Sequence, residues 1–74
     1  MSNKNNLSEN NLGPNLKVLL KEKGITKEEF AYKIGVSTRI IYDYIDGFKT
    51  PSLANAIKIS VVLDVSLDSI LRKM

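Results

Sequence analysis

The chain has no cysteine and no histidine among its 74 residues. Those two absences together remove disulfides, thiolate and imidazole metal sites, cysteine nucleophiles and histidine acid–base chemistry. Catalysis would then rest on carboxylates or a desolvated lysine. The candidate carboxylates Glu22, Glu28, Glu29, Asp43, Asp46, Asp64 and Asp68 fall at helix caps and on outward faces, as solvated groups do. No enzyme activity, metal or cofactor is therefore expected. No apolar run approaches the roughly 18–20 residues of a membrane span. The N-terminal segment also lacks the apolar centre of a signal peptide. Together with the missing cysteines, this leads to the expectation of a cytoplasmic protein with no membrane partner. Strand-like alternation and internal repeats are absent too.

What remains is a small, mildly basic chain. A net charge of +3 allows contact with a polyanion without demanding it. The length provides one domain, and a domain of this size buries only about 60% of its unfolded surface. Dimerisation would add to that burial.

Residues 1–13 are polar and Asn-rich, with Leu7 and Leu12 as isolated apolar positions. Such a segment buries too little to offset its ordering entropy, so a flexible arm is predicted. It could also lie along a nucleic acid, although Lys4 is its only basic side chain. The folded domain is then residues 14–74. Pro14 suits the first turn of a first helix that runs to about Lys23 and ends at Gly24. Leu16, Leu19, Leu20 and Lys23 share one side, with Lys17 and Lys21 beyond it and Val18 partly exposed.

A second helix, over about residues 26–34, opens on Thr26 with Glu29 three residues on, the pattern of a capping box. Phe30, Ala31 and Ile34 form its inward face, and Gly35 permits a left-handed turn. Ser37 caps a third helix over about residues 37–46, which Gly47 ends. At 3.6 residues per turn, Ile41, Tyr44 and Ile45 share one side of it, and Arg39, Tyr42, Asp43 and Asp46 the other. Pro51 and Ser52 start a fourth helix whose apolar positions are Leu53, Ala56, Ile57, Ile59 and Leu63, with Ser60 among them. Val61 and Val62 widen that stripe. Asp64-Val65-Ser66 breaks the helix, and Ser66 caps a short fifth one with Leu67, Ile70 and Leu71 inward. Tyr32 and Tyr44 are predicted at the core edge, and Phe48 as the anchor of the loop after the third helix.

Two short helices joined at Gly35-Val36-Ser37, the second presenting a polar side, have the anatomy of a DNA-reading helix-turn-helix. With the stretches LKVLLKEKGITKEEFAYKIGVS, IDGFKTPSL and AIKISVVLDVSLDSIL in this order, the chain resembles the Cro/repressor (Xre-type) family of bacteria and phages. The match covers roughly Asn15 to Arg72. It implies an all-α, compact five-helix bundle of the phage-repressor DNA-binding type, and a repressor-like regulator that binds double-stranded DNA as a homodimer. Half-sites would lie about 34 Å apart, one helical turn.

The resemblance also implies the site. Thr38, Arg39, Tyr42 and Asp43 fall at groove-facing positions, and Arg39 suits guanine because its fork can reach O6 and N7 together. Tyr42 either meets DNA or covers the flank of its helix. Thr26, Lys27, Ser37, Lys49 and Thr50 match the backbone-contacting positions. Lys27 stands where the family usually carries glutamine. A charged pair that the family often places late in the first and third helices is here Leu20 and Ile45, an apolar replacement that is commonly neutral or stabilising. Asp43, Asp46 and Ile40 make the reading face less basic than the family norm. A protein-interaction module of the same fold, antitoxin-like or a docking partner, is the alternative reading.

Overall fold

Four of the five helix starts among the described residues coincide with hydroxyl side chains. In the computed structural model, which describes residues 11–71, Thr26, Ser37 and Ser52 are the N-caps of α2 (Lys27–Ile34), α3 (Thr38–Asp46) and α4 (Leu53–Leu63). Each hydroxyl accepts from the backbone N–H three residues on, at 3.0, 3.3 and 3.1 Å respectively. Ser66 does the same for Ser69 ahead of α5 (Leu67–Leu71), at 3.0 Å. With α1 (Leu12–Lys23) these make five helices and no strand among the described residues, the all-α bundle expected. Asp64 ends α4 in the left-handed conformation, at φ 56°, which aspartate tolerates better than most side chains.

The first helix departs from the reading above. It begins at Leu12, two residues before Pro14, so residues 11–13 belong to the folded domain. The expectation of an arm over residues 1–10, and that of residues 72–74 in the domain, lie outside the described residues. Pro14 marks a first turn without marking its first residue. Its missing N–H is one of the donors that any helix start leaves unpaired, and the first i→i−4 bond is Asn15 N–H to Asn11 at 2.9 Å. Leu12 and Gly13 are both buried. A β-carbon added to Gly13 would stand 2.3 Å from the Ile45 carbonyl oxygen, so α1 crosses α3 here at backbone contact.

The core is contributed by every helix. Leu12, Leu16 and Leu20 meet Phe30, Ala31 and Ile34, Ile41 and Tyr44, Ile59 and Leu63, and Ile70. α3 packs on both α1 and α2, α4 on α2, and α5 on α1 and α4. Leu20 and Ile45 both belong to this packed set, in keeping with an apolar replacement of the family's charged pair.

One polar residue is buried with them. Asn15, only 6% exposed, donates its side-chain amide to the carbonyls of Ser69 and Ile70. Those carbonyls lie in the last turn of α5, whose described residues offer them no intrahelical donor. Asn15 therefore fastens the shortest helix to the longest. Asn15→Ala is expected to cost about 1–3 kcal/mol, the usual penalty for stranding buried acceptors. Urea unfolding measures it, and a loss within experimental error would mean that the clamp adds nothing.

Four placements differ from expectation. Tyr32 is 88% exposed, because it lies about 200° around α2 from Phe30, off the inward stripe. Phe48 is 79% exposed and does not anchor its loop. On α4, Leu53, Ile57 and Val61 follow one another at four-residue spacing yet all face outward, and Ile59 and Leu63 are the buried pair. On α5, Leu71 is exposed as well. The bundle is too small to cover both sides of an apolar helix.

Candidate nucleic-acid interface

The corner between α2 and α3 is set by Gly35. At φ 77° it takes the left-handed conformation that closes α2, and its N–H and that of Val36 both reach the Ala31 carbonyl, at 2.9 and 3.0 Å. Ser37 follows directly as the cap of α3, so its hydroxyl is engaged by Ile40 N–H. The orientation of α3 is then fixed from behind. Ile41 and Tyr44 are buried, and Tyr44 accepts at its hydroxyl from the Asn55 side-chain amide of α4, at 3.3 Å.

The outward face carries Arg39, whose side chain is 84% exposed, and Tyr42, with Thr38 half-buried beside them. Asp43 is different. Its carboxylate is only 14% exposed and lies between the Arg39 guanidinium at 3.6 Å and the Lys49 ammonium at 3.9 Å. Its backbone carbonyl meanwhile accepts from the N–H groups of Phe48 and Lys49, at 2.8 and 3.2 Å. The loop after α3 is thus tied to Asp43 twice, by charge and by main chain, which is why Phe48 is not needed as an anchor. An i,i+4 pair of this kind is worth only about 0.3–0.5 kcal/mol. Arg39 can therefore leave Asp43 for a better acceptor at little cost.

The second flank is the start of α2. Thr26 donates its N–H to Glu29 Oε1 and accepts Glu29 N–H at its hydroxyl, both at 3.0 Å, completing the capping box read from the sequence. These bonds from Thr26 hold the Glu29 carboxyl below its usual range, main chain first and side chain second. With both Thr26 groups engaged, the amides of Lys27 and Glu28 are those that the helix start leaves for an anion. The Lys27 ammonium stands 5.5 Å from the centre of the Tyr42 ring. That cation–π contact joins the α2 flank to α3.

The structure thus joins Lys27 to Tyr42 in one contact and Arg39, Asp43 and Lys49 in another, both on α3, with Ser37 and Thr38 at that helix's start. Thr50 lies elsewhere, lining an apolar hollow with Pro51, Leu53, Ile59 and Ile70. Reasoning along the sequence missed Lys17 and Lys21. Both line a cleft of about 350 Å³ with Leu20, Ile25, Thr26, Lys27, Glu28 and Tyr42. Their i,i+4 spacing was the available signal, but nothing local says that α1 runs beside Tyr42. Among the described residues no cluster suited to a metal ion occurs, and no helix is long and apolar enough to cross a membrane.

A helix-turn-helix family model matches residues 16–70. No curated protein matches the chain. Among solved structures, the biofilm master regulator SinR in complex with DNA is 34% identical, with TM-score 0.75 over 81% of this chain and 97% of that one. The SinR DNA-binding domain from Bacillus subtilis is 33% identical at TM-score 0.75, over 84% and 91% of the two chains. A transcriptional regulator from Listeria innocua is 25% identical at TM-score 0.80; the match takes in 88% of this chain but spans 61% of that protein's length. The P22 c2 repressor, solved with a synthetic operator, shares the fold at 23% identity and TM-score 0.78, over 82% of this chain and 92% of its own. With the family pattern running through the corner, the caps and the core described above, this chain belongs to the Xre/Cro-type helix-turn-helix family of DNA-binding transcription regulators.

Proposed function

We propose that the protein is a sequence-specific regulator of transcription, acting as a repressor, that inserts α3 into the major groove of double-stranded DNA. The observation that carries this is the two-sided build of α3. Ile41 and Tyr44 lock one side into the core, while the other offers exposed Arg39 and Tyr42 between Lys27 and Lys49. The similarity to SinR, itself solved with DNA, supports the same reading.

In this reading Arg39, Thr38 and Tyr42 meet base edges, and Asp43 shares that face as the acceptor that orients Arg39 and Lys49. Lys27, Thr26, Ser37, Lys49 and Thr50 address the backbone. The apolar line Leu53, Ile57 and Val61 on α4, with Leu71 of α5, supports a homodimer on a two-fold operator. Sedimentation showing a monomer at high concentration, with and without DNA, would remove the dimer from this scheme.

Selection of sites from a random duplex pool tests the function and reads half-site spacing at once. On the selected site Arg39→Ala is expected to lose about 1–3 kcal/mol and to relax preference at one base pair. Equal weakening on cognate and random DNA would rule out base reading by Arg39. Lys27→Ala is expected to weaken all sequences alike and to flatten the salt dependence by about one unit of slope. The same exposed apolar line on α4 also favours a protein-interaction module as the second reading. Binding that is absent, or indifferent to salt, would select it.

A further inference from the structure

We propose that the cleft between α1 and α2 is an additional phosphate site, in which Lys17 and Lys21 hold the backbone of the same duplex that α3 reads; this rests on the DNA-binding reading above. Lys17, Lys21 and Lys27 line the cleft, and Glu28 is the one acidic residue in that lining. They come from two different helices, so their convergence is a product of the fold. Lys17 and Lys21 are also four residues apart on α1, where like charges repel by a few tenths of a kcal/mol in the free protein. An anion between them turns that repulsion into attraction.

The occupant follows from what forms the rim. Tyr42 lines the cleft and belongs to α3, and Lys27 lies over its ring, so the cleft opens directly onto the reading helix. A strand whose bases face α3 carries its next phosphates past Tyr42 and Lys27 towards α1. Ammonium groups serve such a contact as point charges, without base preference. Leu20 and Ile25 in the lining supply no donors of their own. On the α1 side of the cleft, Lys17 and Lys21 are therefore the groups that can hold the phosphate, across from the α2 amides of Lys27 and Glu28. α1 becomes a DNA-contacting helix as well as a core helix.

The test compares Lys17→Gln/Lys21→Gln with Lys23→Gln/Lys33→Gln, which removes the same charge from exposed positions outside the cleft. Affinity for a selected duplex and a random one is measured across a salt series for both and for the unaltered protein. The expected result is a slope shallower by about one to two units for the cleft variant alone, at roughly 0.9 per phosphate. Its cognate-to-random ratio should be unchanged. A slope equal to that of the control overturns the proposal, and so does a changed ratio. An unaltered protein that binds neither duplex overturns the DNA-binding reading itself. A second arm reads the melting temperature in inorganic phosphate, where the outcome against the proposal is a rise for the unaltered protein and none for the cleft variant. Joined to equal slopes, that result assigns the cleft to a free anion, against the proposal.

Discussion

Replacing Gly13 by valine is expected to destabilise the fold by about 3 kcal/mol or more, at the upper end for an overpacked site. In an ordinary helix interior the exchange would be mildly favourable, since glycine is among the weakest helix formers. Here a β-carbon would stand 2.3 Å from the Ile45 carbonyl oxygen and 3.2 Å from that of Tyr44. Both obstacles are main chain, which cannot swing aside as a side chain does. To admit the new methyl groups, α1 and α3 must separate, and α3 is the helix that carries Arg39. Stability is read by urea unfolding, and the position of α3 by DNA affinity under conditions where the variant is folded. Gly13→Ala supplies the sign. If it stabilises the protein, as it would on an open helix, the backbone crossing is wrong.

Phe30→Ala is expected to cost about 3–5 kcal/mol, the range for a buried aromatic truncated to a methyl group. Phe30 is fully buried, on the face of α2 that enters the shared core. Total stability at about 0.05–0.15 kcal/mol per residue gives a domain this small roughly 4–11 kcal/mol. One side chain therefore holds a large share of it. The melting temperature should fall by at least about 12 °C, at 4–8 °C per kcal/mol for domains of this size. Loss of DNA binding should follow the unfolded fraction and return on cooling. A fall of only a degree or two would mean that the core closes over the gap.

Both positions bear on what could be read without a structure. Phe30 was legible, because an inward stripe of Phe30, Ala31 and Ile34 between a cap and a glycine has one natural placement. Gly13 was not. It stands next to Pro14 at the end of an Asn-rich stretch, where local chemistry favours an arm, and only the crossing with Ile45 makes it indispensable. Asn15 is similar, an amide whose acceptors on α5 lie more than fifty positions away. In the site, the outward placement of Arg39 followed from helical periodicity, and the roles expected of Arg39 and Lys27 from the family resemblance. That Asp43 draws in Lys49 as well as Arg39, and that Lys27 covers Tyr42, depends on how the loop and α2 approach α3.

The chain by itself determined where α2, α3 and α4 begin and where α1, α2 and α3 end. Thr26, Ser37 and Ser52 act on amides three residues away, and Gly24, Gly35 and Gly47 close helices through their own left-handed backbone. These are short-range devices, complete within one turn, so sequence order is enough to reveal them. It determined the outward polar side of α3 for the same reason, since helical periodicity is local. Only the tertiary structure decided which apolar residues found cover. Leu53, Ile57 and Val61 are as apolar as Ile59 and Leu63, but among the described residues five short helices enclose one core and leave the far side of α4 without a neighbour. It also decided that Lys17 and Lys21 stand beside Tyr42, because charges from separate helices converge only where packing in the core brings those helices together.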